Sequence, residues 1–166
     1  MLDYQKLSSR YAVRRLGDAD IDEILALCRE NTQFYAYCQA QPTKEQVQSD
    51  LRLLPPGVAR ECKYYLGFYQ GNTLIAVMDL VDGYPEKRTA FIGFFMMKKA
   101  LQGQGLGSSI IEETAAYLKA TGKTAIRLAI DKDNPQSNHF WNKNGFQVFK
   151  QVERGGWTVL VAEKAL

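Results

Sequence analysis

Histidine is nearly absent from this chain: His139 stands alone, and the three cysteines, Cys28, Cys38 and Cys62, are widely spaced. One histidine and no recognisable ligand spacing leave nothing from which to assemble a metal site, and an odd cysteine count argues against a disulfide framework. The thiols read as reduced and partly buried, which suits the cytoplasm. No apolar run approaches the ~20 residues of a membrane span. The opening "MLDYQKLSSRYAV" lacks the apolar core of a secretory signal. The expectation is therefore a cytoplasmic protein without a membrane partner. A net charge of +3 is small and its basic residues are scattered, so a nucleic-acid partner is not expected, although an anionic ligand is mildly favoured. Repeats, low-complexity tracts and linkers are also missing. What remains is a chain of 166 residues, 46% hydrophobic and 23% charged, which fits one domain over 1–166 with a real core.

The pattern along the chain alternates between strand and helix signals. "YAVRRL" (Tyr11–Leu16) alternates like a half-buried strand, and Ile21, Ile24, Leu25 and Cys28 then fall on one helical face behind the capping candidates Asp18 and Asp20. A tyrosine-rich connector, "TQFYAYCQAQP", leads to a second helix near Thr43–Leu54. "KYYLGFY" and "TLIAVMDLV" flank the turn "QGN" as a hairpin. "TAFIGFFMM" (Thr89–Met97) is almost continuously apolar, as in a strand covered on both faces, and Gly93 inside it marks a bulge or a close backbone approach. From Gly105 the period becomes helical through Leu106, Ile110, Thr114 and Leu118, with Gly122 at the C-cap. "TAIRLAI" (Thr124–Ile130) returns to strand, so Thr89–Met97 and Thr124–Ile130 should run parallel in a βαβ unit. Asn134 and Pro135 open a short helix that Gly145 closes, and two strands joined by "RGG" end the chain. The fold class is α/β: a mixed, mostly antiparallel sheet around a central parallel βαβ unit, with helices on both faces.

The strand-to-helix joint "QGQGLG" (Gln102–Gly107) is the most informative stretch. A helix N-terminus presents unpaired N–H groups and the positive end of its dipole, and glycines remove Cβ atoms that would hold phosphate oxygens away. A pyrophosphate ligand is favoured over a plain glycine-rich joint. No Walker lysine follows, and Gly-x-Gly-x-Gly is not the dinucleotide spacing, because Ser108 stands where its third glycine would fall.

Those residues resemble the GNAT N-acetyltransferase superfamily. "QGQGLG" matches its pattern Gln/Arg-x-x-Gly-x-Gly/Ala at Gln102, Gly105 and Gly107, and "NPQSNHFWNKNGF" is similar to its second segment at Asn134, Gly145 and Phe146. The order of elements over nearly the whole chain is similar too. The resemblance implies acetyl-CoA, its pyrophosphate on the turn and helix start formed by Gln102, Gly103, Gln104, Gly105, Leu106, Gly107 and Ser108. The pantetheine arm would run along the strand end Phe95, Met96 and Met97, where family members splay two parallel strands. Asn134 would hold the pantetheine, or simply cap its helix, and the two roles are compatible. Lys98, Lys99 and Lys143 would meet the outer phosphate, or are only solvated.

Acetyl transfer to an amine needs the amine neutral, and an alkyl ammonium with a pKa of about 10.4 is neutral only about one part in a thousand near pH 7.4. Desolvation or a base acting through water must make up about 4 kcal/mol. The departing thiol needs less help, and a backbone N–H at the strand end, that of Met97, would meet the acyl oxygen. Many relatives carry a tyrosine where this chain has Trp141, whose indole donates a hydrogen bond but delivers no proton. Trp141 is thus expected to pack against the pantetheine end or steady the sulfur, with water or another tyrosine supplying the proton, or else to be a core aromatic. His139, two positions before it, reads as a surface residue. Relatives often carry a glutamate on the long strand, where "TAFIGFFMM" has no ionisable group. Asp79 and Glu86 are the candidate bases, with Asp82 as an acceptor-binding acid, against plain hairpin and loop solvation. Tyr35 and Tyr37 are candidates for the acceptor wall or for packing. The expected function is transfer of an acetyl group to a primary amine of a small molecule or peptide, with a homodimer compatible; the alternative is an acyl-CoA-binding sensor or degenerate regulatory member with little turnover.

Overall fold

The computed structural model describes residues 2–38 and 40–166, with only the backbone of Arg154. Four strands precede the glycine-rich turn: β1 (Ala12–Arg15), β2 (Lys63–Gln70), β3 (Thr73–Asp82) and β4 (Thr89–Met97). Three follow: β5 (Ala125–Asp131), β6 (Gln147–Arg154) and β7 (Trp157–Ala165). The helices are α1 (Ile21–Arg29), α2 (Thr32–Tyr37), α3 (Lys44–Arg52), α4 (Leu106–Ala120) and α5 (Pro135–Lys143). The segment expected to be a connector, "TQFYAYC", thus contains a helical turn and a half, α2. Its aromatics pack on the sheet, which outweighs their modest helix propensity.

All seven strands lie in one sheet, ordered β1-β2-β3-β4-β5-β7-β6. Every neighbouring pair is antiparallel except β4 and β5, which run parallel. The final hairpin is folded in so that β7, not β6, pairs with β5. Alternating side chains feed a core on each face of the sheet. On one face Tyr64, Leu66, Phe68, Ile92 and Leu128 pack with Ile110, Ile111 and Leu118 of α4 and with Trp141 of α5. On the other, Tyr65, Tyr69, Val77 and Met96 pack with Ile24, Leu25 and Cys28 of α1 and Val47 and Leu51 of α3.

Gly93 is the bulge its position suggested. The β3–β4 register passes from Asp79↔Phe94 to Leu80↔Ile92 and skips it. The extra residue inverts the alternation of β4. Ile92 and Phe95 therefore join the α4–α5 core, while Phe94 and Met96 join the other. Caps hold the helices where the sequence marks them: the Thr43 side chain accepts from Gln46 N–H at 3.1 Å to open α3, and Asn134 Oδ1 accepts from Ser137 N–H at 3.1 Å to open α5. No helix among the described residues is long and apolar enough to cross a membrane.

Candidate functional site

Between β4 and α4 the chain turns through Gly103 and Gly105, both left-handed with φ of 76° and 79°. Side chains with a Cβ resist that conformation, so two such positions within three residues call for glycine. Gly105 is the N-cap of α4 and contributes no side-chain cap. The first amides of a 15-residue helix consequently point, with its dipole, toward open space. That space is a cleft of about 290 Å³ whose walls include Gly103, Gly105, Gly107 and Ser108. A Cβ on Gly107 would lie 3.3 Å from both Met97 and Phe140, so the third glycine permits close packing of α4 on β4 and α5.

The other wall of the cleft is the end of β4. The parallel pairing with β5 runs from Thr89↔Ala125 to Ile92↔Leu128 and then stops, leaving Gly93–Met97 without a β5 partner. Lys98 N–H donates to Ile75 C=O at 2.8 Å, which makes Ala76 and Met97 a non-hydrogen-bonded antiparallel pair. The N–H groups of Met97 and Phe95 hence face away from β3, into the gap between β4 and β5. A second cavity of about 100 Å³ occupies that gap and shares Phe34, Phe95, Ser137 and Trp141 with the larger cleft. Asn134, 1% exposed, lines it, and its Nδ2 is buried without a partner while its Oδ1 caps α5. The capping role read from the sequence is thus present, and the same side chain keeps one buried donor without a protein partner.

Gln102 acts differently from the glycines beside it. Its Nε2 donates to Asn31 Oδ1 at 2.6 Å and to Met97 C=O at 3.2 Å, and its Oε1 accepts from Gln136 Nε2 at 3.3 Å. Buried Asn31 in turn donates to Met97 C=O at 3.1 Å and Leu27 C=O at 3.0 Å. This amide network ties the glycine turn, the end of β4, the α1–α2 joint and α5 together. It absorbs the Met97 carbonyl and leaves its N–H free to face the gap. Asn31 escaped the sequence reading because nothing local marks a partner 71 residues away.

Asp79 reaches the same region through the bulge. A Cβ on Gly93 would lie 2.7 Å from Asp79 Oδ2, so the carboxylate occupies the room that the glycine vacates. Lys63 Nζ donates to that oxygen at 2.8 Å, with the lysine 4% and the aspartate 14% exposed, and Asp79 Oδ1 has no partner. Burial raises the Asp79 pKa, and the Lys63 charge only partly opposes it. A carboxyl so perturbed is closer to the range a base needs at neutral pH. Gly93 lines the smaller cavity, and Asp79 lies behind it, off the lining of both cavities.

The remaining candidates divide. Phe95, Met96, Met97 and Lys143 line the larger cleft. Trp141, 8% exposed, borders both cavities and packs edge-on to Phe140 and Phe146 at 5.0 Å each. His139 is exposed at the cleft rim. The Gln104 side chain turns back to Ala100 C=O at 3.0 Å, and Leu106 packs into the core; both have only their backbone to offer a ligand. Glu86, 72% exposed beside Arg127, and Asp82, paired with Lys123, lie at the opposite end of β4 from Phe95–Met97. The structure does not bring either to the cleft, because the β3–β4 loop precedes the parallel-paired half of β4. Tyr35 packs against Phe34 at 5.2 Å, and burial, with Cys28 beside it, pushes its phenol well above the ordinary range. Neither Tyr35 nor half-buried Tyr37 borders the two cavities; Phe34 of the same helix does. Until α2 is known to be helical, no periodicity singles out Phe34 from its aromatic neighbours. Among the described residues no His, Cys, Asp and Glu cluster is arranged to hold a metal.

The comparisons with known proteins agree with this geometry. Residues 21–146 match the model of the acetyltransferase (GNAT) family. No curated protein sequence matches the chain. Among solved structures, an acetyltransferase from Thermus thermophilus superposes with a TM-score of 0.77 at 23% identity, over 94% of this chain and 97% of that one. The PaiA N-acetyltransferase from Thermoplasma acidophilum, solved in complex with coenzyme A, gives 0.66 at 20% identity over 94% and 99%. The ribosomal-protein-S18-alanine N-acetyltransferase from Escherichia coli gives 0.67 at 13% identity over 93% of each chain. With a family match spanning most of its length, on a sheet that splays beside a glycine-lined helix start, this chain belongs to the GNAT acetyltransferase family.

Proposed function

We propose that the protein transfers an acetyl group from acetyl-CoA to the primary amine of a small molecule or peptide, by direct attack with both substrates bound. The observation that carries this reading is the continuity of three features: the uncapped start of α4, the open edge of β4, and the orphaned Asn134 Nδ2. Together they offer an anion cradle, a line of backbone donors and a side-chain amide donor along one path. The residues fit the coenzyme: the amides of Gly103–Ser108 for the pyrophosphate, Lys143 at the rim for outer phosphate, and Asn134 with the Phe95 backbone for the pantetheine. When bound, the coenzyme supplies an activated acyl thioester.

The chain's own groups do the rest. Met97 N–H, aimed into the gap, is placed to stabilise charge that develops on the acyl oxygen. Asp79, raised by burial, takes the ammonium proton through water, and the apolar walls favour the neutral amine. Trp141 shapes the junction of the two cavities as an aromatic wall and carries no proton. The exposed Val148, Phe149 and Trp157 of the β6–β7 hairpin are the surface on which we place homodimer contact.

Calorimetry with coenzyme A and with ADP, followed by a thiol-release assay on acetyl-CoA with a panel of amines, tests the reading. Tighter binding of coenzyme A than of ADP, with amine-dependent thiol release, supports it. Tight coenzyme binding without thiol release favours an acyl-CoA sensor instead. Equal affinity for ADP removes the pantetheine site altogether.

A further inference from the structure

The cavity between the splayed strands adjoins the coenzyme cleft: its α5 side, with Asn134 and Phe95, is where the pantetheine is placed, and its α2 side carries a chemical signature of its own. Its walls are aromatic: Phe34 from α2, Phe94 and Phe95 from β4, and Trp141 from α5. Phe34 and Phe94 meet edge to face at 5.9 Å, and Phe95 and Trp141 at 6.0 Å, so the rings form two facing pairs around the gap. Asp131, at the end of β5, is the one ionisable residue on the lining.

Two observations place the Asp131 carboxylate toward the cavity's α2 side, and a third fixes it there. Leu128 and Ile130 are buried in the α4–α5 core, so the alternation of β5 sends Asp131 to the opposite face. Its negative charge helps raise the thiol pKa of Cys38, just beyond the end of α2, after the larger effect of burial. Its Oδ1 accepts from Asp133 N–H at 2.9 Å, which holds the side chain in place. Among the described residues no cation pairs with Asp131 within salt-bridge distance. Behind the cavity, Asp79 is balanced by Lys63. The fixed charge left over is thus one carboxylate, with no basic side chain on the lining to answer a second carboxylate brought by a ligand.

From this juxtaposition we propose that the acceptor is a monoamine on an apolar, aromatic-sized body without a carboxylate next to the amine, and that Asp131 is the residue that selects it. The inference rests on the acetyl-transfer reading and narrows its substrate class. An ammonium entering the gap from the α2 side meets Asp131, while its body lies against Phe34 and Phe94. A free amino acid would bring its carboxylate into the same aromatic space, where only Asp131 waits, and like charges in a poorly hydrated site repel. A polyamine would bury further ammonium groups with no counter-ion.

The test uses the full chain, acetyl-CoA and thiol detection with four amines that share or lack these features: 2-phenylethylamine, phenylalanine, phenylalaninamide and spermidine. The expected result is a kcat/KM for 2-phenylethylamine at least about 30-fold above that for phenylalanine and for spermidine, with phenylalaninamide between. In Asp131→Asn, the KM for 2-phenylethylamine should rise about 10-fold with the KM for acetyl-CoA retained, and the penalty on phenylalanine should shrink. The retained coenzyme KM certifies the fold of the variant. Preference for phenylalanine or spermidine, or an unmoved amine KM in Asp131→Asn, overturns the inference and leaves the transfer reaction standing. Coenzyme binding without thiol release from any amine overturns the transfer reaction and this inference with it.

Discussion

Consider removing the ammonium from the buried Lys63–Asp79 pair behind the cavity between β4 and β5, by Lys63→Met. Lys63 and Asp79 are joined at 2.8 Å, are almost wholly out of water, and Asp79 Oδ1 has no other partner. The variant strands a carboxylate where burial already raises its pKa, and stranding one member of a buried pair costs about 3–5 kcal/mol. For a chain of this size, about 1 kcal/mol corresponds to roughly 2–4 °C in Tm, so the melting point should fall by about 6–20 °C. Asp79→Ala should cost a similar amount, because it strands Lys63 instead. The double variant loses both charges together and should be less destabilised than the sum of the singles by about 2–3 kcal/mol.

The pH dependence supplies an independent sign. A carboxyl whose folded pKa is raised lends stability that is fully present below its unfolded pKa of about 3.9 and is lost as pH rises through the folded value. Lys63→Met removes the nearby positive charge that opposes burial, so the folded pKa climbs further. The deficit relative to wild type should therefore be largest at neutral pH and shrink on acidification toward pH of about 4. Urea denaturation of the four proteins at both pH values measures all of this. Additive single variants, with a coupling below about 0.5 kcal/mol, or a deficit that grows on acidification, would refute the reasoning.

Three further outcomes follow from particular contacts. Gly93→Ala puts a Cβ 2.7 Å from Asp79 Oδ2; the carboxylate must shift, at a cost of about 1–3 kcal/mol, and amine turnover should fall at retained coenzyme affinity, as separate kcat and KM measurements would reveal. Asn31→Ala takes away the acceptor of Gln102 and one donor to Met97 C=O, so the KM for acetyl-CoA should rise about 10-fold with a stability loss of about 1–3 kcal/mol in thermal melts. Burial would raise the Glu113 pKa, but bonds from Ser8 and Ser9 and the charge of Arg10 outweigh it and lower the pKa. Its contribution is thus present above the unfolded value and lost as pH falls through the folded one, so Glu113→Gln should be less stable than wild type at pH 7 and converge with it in acid.

Much of this site is written in short stretches of the chain. "GQGLG" announces a left-handed turn into a helix start, because only glycine tolerates φ near +80° twice within three residues without cost. Asn134-Pro135 announces α5 for equally local reasons, a capping oxygen and a preset φ. Gly93 within an apolar run announces a bulge. The β4 boundaries, Thr89–Met97, coincide with the apolar run itself. By contrast, α2 looks like a connector because its six residues have no amphipathic period long enough to detect, and its helical turn is held by aromatic packing on the sheet.

Local signals fail wherever one side chain's role depends on a distant partner. Asp82 and Glu86 are carboxylates like Asp79 and lie closer to β4 in sequence, yet only Asp79 faces Gly93. That choice is made by the bulged β3–β4 register. The insertion of β7 between β5 and β6, the Asn31–Gln102 bond and the cavity lined by both Asp131 and Phe34 likewise join segments far apart in the chain. The glycine turn, the helix starts and the bulge were legible in the residues themselves, because backbone sterics and caps act over a few positions. Which acid, which aromatic and which amide reach the gap emerged only when the chain folded, because strand register and helix docking are set by the burial of whole faces at once.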